Sequence, residues 1–181
     1  QGTELWDFSL VDPDNRRPVD FGERRRRLAS LEQRAAGDVQ GLTTGLGRDV
    51  LDPDLKLWVT SRALRLRHAA PGLFLKGEYL PLEPTGARAE HLLAFARRRG
   101  DEVAVVAVPR LTVALCREHG GPPLGEPTWE DTALTLPPEL AGTYVNELDG
   151  QEHACDADGR LPAAALLARL PLALLRRRVP T

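Results

Sequence analysis

The pattern of apolar and polar positions predicts a helical first part and a second part made of short strands. The clearest helix follows Asp52-Pro53, because aspartate caps a helix and proline fits a first turn that needs no backbone N–H. Apolar residues then recur at helical spacing until Pro71-Gly72 ends the run: Leu55, Trp58, Val59, Ala63, Leu66 and Ala70. The pattern predicts a helix of about 17 residues with one buried stripe.

A shorter helix is predicted over residues 23–35, where apolar positions also follow the helical period. Its four consecutive arginines, Arg24 to Arg27, suit either a basic patch or a solvated helix face, and the acidic neighbours favour the solvated face. The residues before this helix have no period and predict an ordered loop. The glycines of Gly37–Gly47 predict a loop or a broken helix.

From residue 73 onward the chain consists of short segments separated by glycine and proline. The valine-rich run Glu102–Val108 predicts a fully buried strand, Asp158-Gly159 a hairpin turn and Leu161–Arg169 a helical interruption. Further segments have strand length: Gly77–Leu82, His91–Arg97, Leu111–Cys116, Asp131–Leu136, Gly142–Glu147 and Leu172–Val179. Strands at this spacing favour an antiparallel β-sandwich over a parallel sheet. The predicted class is α+β, with a domain boundary near residues 71–75.

Composition narrows the possible partners. A hydrophobic content of 42% with 28% charged residues is typical of a globular protein, and a net charge of −2 gives no reason to expect a nucleic acid. No stretch reaches the roughly 20 apolar residues that span a bilayer, so no membrane partner is expected. The cysteines and histidines lack metal-site spacing, so we expect no metal and no cofactor: Cys116, Cys155, His91, His119 and His153. Two free thiols suit a reducing, cytoplasmic compartment.

The segment Asp12–Phe21 has the densest chemistry of the chain. It holds three carboxylates, an amide and two guanidinium groups, and Pro13 and Pro18 restrict its backbone. Such groups form bidentate, charge-assisted hydrogen bonds with sugar hydroxyls, and Trp6 and Phe8 supply apolar ring faces. The same aspartates and arginines also suit pairing with one another to hold the loop in shape, and spacing leaves both interpretations open. Three other aromatic side chains are expected in the core: Trp58, Trp129 and Tyr144.

Several segments resemble, in order, the α-amylase family of glycoside hydrolases. They are Gln1–Leu5, similar to the segment after the eighth barrel strand; Asn15–Phe21, similar to an arginine-containing loop just downstream; and Leu64–Leu73, similar to the last barrel helix. Within that family the chain is similar to the malto-oligosyltrehalose synthases, on residues 2–21, 56–60, 77–82 and 170–175. The resemblance covers almost the whole chain. It implies the end of a (β/α)8 barrel in residues 1–72 and a C-terminal β-sandwich domain in residues 73–181.

The resemblance also implies a reaction for the complete enzyme. Such enzymes convert the reducing-end α-1,4 linkage of a malto-oligosaccharide into an α,α-1,1 linkage by intramolecular transglucosylation. Their catalytic carboxylates lie on barrel strands upstream of Gln1, so no catalytic residue is expected here and the chain alone is expected to be inactive. The chain lacks methionine and opens as the interior of a sequence does, so we expect a C-terminal fragment.

Five residues are candidates for substrate binding. The resemblance places Arg16 where related enzymes hold a glucose unit, with Asp12, Asn15 and Arg17 on the same loop. Glu4 is either a further contact or an anchor for that loop. The related loops end in Met-x-Trp, whereas this one ends in Val19-Asp20-Phe21, which leaves the sugar subsite open.

Two other functions stay open from the sequence. One is the matching end of a different α-amylase-family hydrolase or transferase, and the other is a non-catalytic sugar-binding or interaction module. A barrel helix without its barrel is expected to expose the apolar stripe of residues 52–70, which predicts a dimer formed through that surface. A module is expected to have a fully covered apolar interior.

Overall fold

Helices form one layer of the structure, a computed structural model that describes residues 2–178. The layer contains α1 (Phe21–Gly47), α2 (Pro53–Ala69) and α3 (Pro71–Lys76). The Asp52 carboxylate caps α2 by accepting a 2.8 Å hydrogen bond from the Asp54 backbone N–H, as the sequence predicts. Helix α1 extends beyond its predicted end and has a kink at Asp38, whose carboxylate accepts from the Gly41 N–H. The broken-helix interpretation of Gly37–Gly47 is therefore confirmed.

Antiparallel strands form the other layers. They are β1 (Glu78–Leu82), β2 (Pro84–Thr85), β3 (Leu92–Arg99), β4 (Glu102–Pro109), β5 (Ala133–Thr135), β6 (Thr143–Asn146), β7 (Glu152–Ala154), β8 (Arg160–Pro162) and β9 (Ala173–Arg177). A six-stranded sheet has the order β1-β3-β4-β9-β6-β7, and a three-stranded sheet has the order β2-β5-β8. Short helices lie between the strands: α4 (Thr112–His119), α5 (Gly125–Trp129) and α6 (Ala163–Leu166). The predicted combination of helices with antiparallel sheets is confirmed.

The central strand β4 is covered on both faces. Val103, Val105 and Ala107 pack into a core shared with the three-stranded sheet and the short helices. Ala104 and Val106 alternate with them and pack against the core of α1 and α2. The prediction of a fully buried strand in this valine-rich run is thus confirmed, because both side-chain sets of a strand need an apolar neighbour to be buried.

Strand β9 follows the same rule. Its residues Ala173 and Leu175 face the first core, and Leu174 faces the helices. The strand lies between β4 and β6 in the middle of the sheet, and the predicted end at Val179 falls outside the described residues. The three aromatic side chains predicted to lie in the core are 0–2% exposed, which confirms that prediction: Trp58, which packs among the helices, Trp129 and Tyr144.

Two local predictions are wrong. The predicted strand at residues 111–116 is absent and residues 112–116 form the start of α4, because Leu111 adopts a left-handed conformation with φ 52° and turns the chain out of β4. Gly120 ends that helix, and alternating apolar residues over so short a run do not distinguish a strand from a helix. The turn at Asp158-Gly159 exists, but β7 and β8 on either side of it belong to different sheets and do not form a hairpin.

The expected exposed stripe on α2 is also absent. Leu55, Leu57, Trp58 and Leu66 are all buried, because α1 and the six-stranded sheet cover them. Leu64, at 60% exposure, is the large apolar side chain of α2 that faces solvent. The covered stripe removes the physical reason for the predicted fragment dimer.

Other expectations concern thiols and membranes. Cys116 and Cys155 are both free and partly exposed, as the sequence predicts. Within residues 2–178, none of the helices combines the length and the apolarity needed to cross a bilayer.

The proposed boundary near residue 72 stays a prediction. The helices before it and the six-stranded sheet after it share one apolar core.

A substitution at Trp58 tests how the helices are joined to the sheet. Its indole N–H donates a 3.0 Å hydrogen bond to the Leu148 carbonyl in the β6–β7 turn. We expect Trp58→Phe to lower the free energy of unfolding by about 1–3 kcal/mol, because the buried carbonyl loses its donor. Leu64→Ala on the exposed face of α2 is the control and should change it by less than about 0.5 kcal/mol. Equal effects of the two substitutions in urea denaturation would contradict this role.

The burial of His153 on β7 leads us to expect that the stability of the fold depends on pH. The side chain is buried and its Nε2 atom has no hydrogen-bond partner, and burial lowers the pKa of His153 from its ordinary value of 6.5. The unfolded chain therefore takes up this proton first, so stability falls as pH drops below about 6.5. We expect His153→Gln to reduce the loss of stability between about pH 7.5 and pH 5, measured by urea denaturation. An unchanged pH profile would show that other groups cause the loss.

Candidate functional site

The N-terminal loop, defined here as residues 2–20, is anchored to the helices near its start. Leu5 packs against the helical core, and Lys56 of α2 donates to the Leu5 carbonyl at 3.4 Å. The Lys56 ammonium also lies 4.6 Å from the centre of the Trp6 ring, a favourable cation–π distance. The first residues of the loop therefore have fixed neighbours.

The tip of this loop, residues 7–17, is exposed and holds its shape with its own hydrogen bonds. Arg16 donates two hydrogen bonds to the Asp12 carboxylate, from Nε to Oδ1 and from Nη2 to Oδ2. The second bond has a length of 2.6 Å. The two side chains are 72% and 55% exposed. An exposed, bidentate pair of this kind presents its remaining N–H groups and oxygen lone pairs to solvent.

Arg17 makes a second set of contacts within the tip. Its Nε donates to the Asp14 carbonyl at 3.0 Å, and its Nη2 donates to the Ser9 hydroxyl. The Asp14 carboxylate accepts from the Leu10 N–H at 2.9 Å. The hydroxyl and N–H of Ser9 both bond to Asp7, and these bonds, helped by Arg17, lower the pKa of the Asp7 carboxyl. The tip is therefore held together by internal pairs, and the Asp7 carboxyl is favoured in its charged form.

An open depression lies in the same loop, and of the predicted site residues Asn15 lines it. It has a volume of about 510 Å³ and is lined by six residues of the N-terminal loop: Thr3, Asp7, Ser9, Leu10, Val11 and Asn15. The rings of Trp6 and Phe8 stack with their centres 6.5 Å apart, and Phe8 is 84% exposed. The loop thus presents aromatic faces, an amide and charged hydrogen-bonding groups on one segment, which is the chemistry that carbohydrate recognition uses.

The five predicted site residues fall into two groups. The tip contains Asp12, Asn15, Arg16 and Arg17. Glu4 lies at the base of the loop, the part that contacts the helices, where its carboxylate accepts a 3.1 Å hydrogen bond from Arg24. The alternative interpretation expects pairing between aspartates and arginines, and such pairs are formed at Asp12–Arg16 and Asp14–Arg17. Sugar binding by these residues stays a prediction.

Sequence reasoning missed two residues of the site. The apolar pattern assigns Lys56 to a helix and Arg24 to a solvated helix face, and it predicts no contact of either residue with the N-terminal loop. The Arg24 side chain is 18% exposed and bound to the N-terminal loop, so that assignment is wrong for Arg24. Its neighbour Arg26 is 70% exposed and pairs with Glu23, as expected of a solvated face. A helical period specifies the apolar face of α1 but not which arginine turns back toward the preceding loop.

Carboxyl groups with shifted pKa values bear on acid–base chemistry. In the part of the chain that the structure describes, these groups are Asp7, Asp20, Glu23 and Glu118, and hydrogen bonds from neighbouring N–H or hydroxyl groups lower the pKa of each. A general acid in glycoside hydrolysis needs a raised pKa, so these four carboxyl groups do not suit that role.

Known proteins with similar sequence or structure provide the remaining evidence. No protein-family model matches the chain. Two Mycobacterium tuberculosis proteins, from strains CDC 1551 and H37Rv and provisionally named maltooligosyl trehalose synthase, are each 41% identical to it over 177 residues, or 98% of the chain. The chain is similar along nearly its whole length to part of these two proteins. It spans 18% of the length of these two relatives.

A solved structure agrees with the sequence match. A mutant of maltooligosyltrehalose synthase from Arthrobacter ramosus superposes with a TM-score of 0.69 and 38% identity, over 97% of this chain and 19% of that chain. The likeness to such synthases predicted from sequence segments is confirmed, since the match runs along nearly the whole chain in both comparisons.

Proposed function

We propose that this chain is the C-terminal part of a malto-oligosyltrehalose synthase. The complete enzyme would convert the reducing-end α-1,4 linkage of a malto-oligosaccharide into an α,α-1,1 linkage by intramolecular transglucosylation. The observation that carries the proposal is 41% identity over 98% of the chain to proteins that bear this name. The free thiols support a reducing, cytoplasmic setting, which is part of the proposal.

The proposal divides the chain as its resemblance implies. Residues 1–72 would be the end of the catalytic barrel and residues 73–181 the C-terminal β-sandwich domain. The order of elements supports this division, because the long helices α1 and α2 come first and two antiparallel sheets follow. The N-terminal loop would then stand at the C-terminal face of the barrel, where active sites of such barrels lie.

The chemistry would be shared between this chain and the rest of the enzyme. A retaining mechanism uses two carboxyl groups about 5–5.5 Å apart, one as nucleophile and one as acid and later base. We place both outside this chain, which agrees with the lowered pKa values of its shifted carboxyl groups. The tip would hold the sugar while the released glucose turns and attacks through its anomeric hydroxyl. Exclusion of water at that step favours transfer over hydrolysis.

Arg16 and Asp12 would bind the sugar as a preformed pair. Arg16 uses Nε and one N–H of Nη2 on Asp12, which leaves Nη1 available as a donor to sugar hydroxyls, and the Asp12 oxygens keep lone pairs for hydroxyl donors. Asn15 would add an amide, and Trp6 and Phe8 apolar ring faces. Because the pair exists before substrate arrives, little side-chain ordering would be needed on binding.

A product assay tests the proposed reaction. The full-length gene product should convert maltopentaose into a non-reducing product. The mass of the sugar should not change, because isomerisation adds no water. Reducing-sugar titration and mass spectrometry of the same samples measure these two quantities. Residues 1–181 alone should leave maltopentaose unchanged. Turnover by the short chain would place the catalytic carboxylates within it, and simple hydrolysis by the long one would favour another α-amylase-family activity.

Arg16→Ala in the full-length enzyme tests the proposed substrate contact. We expect kcat/KM for maltopentaose to fall about 10- to 100-fold, the value of a hydrogen bond to a charged group. The free energy of unfolding should change by less than about 1 kcal/mol, because the Asp12–Arg16 pair is exposed. Arg25→Ala, an exposed arginine on α1, is the matched control. Equal kinetics for Arg16→Ala and Arg25→Ala would assign Arg16 to loop shape alone.

A further inference from the structure

Arg24 joins the two ends of the N-terminal loop. From the first turn of α1, its Nε donates to the Glu4 carboxylate at 3.1 Å and its Nη2 donates to the Gly2 carbonyl. Its Nη1 donates to the carbonyl of Asp20 at 2.9 Å. Residues 2 and 4 begin the loop and residue 20 ends it, so one guanidinium holds both ends against the same helix.

The surroundings of Arg24 favour strong bonds. The side chain is 18% exposed, and partial burial strengthens charge-assisted hydrogen bonds relative to those at the open surface. A guanidinium carries five N–H donors in a fixed plane and serves three acceptors at once, whereas a lysine ammonium is a single point on a flexible stem. Arginine is therefore required here for its geometry as well as its charge.

The two loop ends are also packed closely together at this point. Gly2 is buried and has a φ of 89°, a backbone conformation that favours glycine. A Cβ atom at Gly2 would lie 2.9 Å from a methyl carbon of Val19 and 3.2 Å from Nη2 of Arg24. The absence of a side chain thus lets the start of the loop reach both its end and the guanidinium. Lys56 contacts the start of the loop, at Leu5 and Trp6.

We propose that Arg24 is a positioning residue for substrate. The tip keeps its shape by internal pairs, but its position relative to α1 and α2 depends on how the loop ends are held. Asp20 is the N-cap of α1, and Arg24 ties the start of the loop to this fixed end. Arg24 thereby sets where Asp12, Asn15 and Arg16 stand, without touching the sugar itself. This inference rests on the proposed function of the N-terminal loop.

Arg24→Ala in the full-length enzyme tests this role. We expect KM for maltopentaose to rise about tenfold to a hundredfold with a smaller change in kcat, because the tip no longer rests in the binding position. Hydrogen exchange of residues 7–17 should become faster at the same time. Arg24→Lys should restore neither property, since it keeps the charge and loses the fork. Glu4→Gln should have a milder effect because glutamine still accepts from Nε. Arg25→Ala is the control and should leave both properties unchanged.

The outcomes separate this inference from the proposed reaction. Unchanged exchange in Arg24→Ala and Arg24→Lys would overturn the role of Arg24 in holding the loop. Faster exchange with unchanged KM would overturn its role in substrate positioning, while trehalose-ended product from the unmodified enzyme would still support the proposed reaction. If Arg24→Ala does not fold, Arg24→Lys carries the same test. Failure of the unmodified enzyme to isomerise maltopentaose would instead contradict the proposed function itself.

Discussion

Burial of β4 and β9 on both faces is the constraint on which the rest of the structure depends. A strand whose consecutive residues are all apolar, as in Val103–Ala107, needs a packed layer on each side. The helices supply one layer through Leu57, Trp58 and Leu66, and the three-stranded sheet with the short helices supplies the other. Helices and sheets of this chain therefore stabilise one another, and α2 has no unpaired apolar stripe.

Polar contacts fix how the helical layer sits on the sheet. Arg62 of α2 donates to the Glu147 carbonyl at 2.7 Å, close to the point where the Trp58 indole binds the β6–β7 turn. Arg169 donates to Gln40 of α1 at 3.0 Å and lies 3.4 Å from the Asp149 carboxylate in the same turn. Hydrophobic burial alone is non-directional, so these hydrogen bonds set the register between the layers. The base of the N-terminal loop rests on the helices that they hold.

Sequence patterns could predict those elements whose causes are local. Asp52-Pro53 marks the start of α2 through capping, and the valine run marks β4 through burial. Residues 111–116 could not be assigned in this way, because a single left-handed residue, Leu111, decides the direction of the chain there. At the site, the tip residues could be named from their chemistry alone. Arg24 could not, since its partners at Gly2 and Glu4 lie 20 or more positions away and come together only when the loop closes.

The proposed binding role of the tip would account for features that contribute little to stability. An exposed ion pair such as Asp12–Arg16 contributes about 0–1 kcal/mol to a fold, and the exposed Phe8 ring contributes no buried area. The base differs, since Arg24 and Gly2 are partly or fully buried and closely packed. Rigid anchoring beneath a charged, aromatic and solvent-facing tip is the arrangement that preorganised recognition of a polar ligand requires.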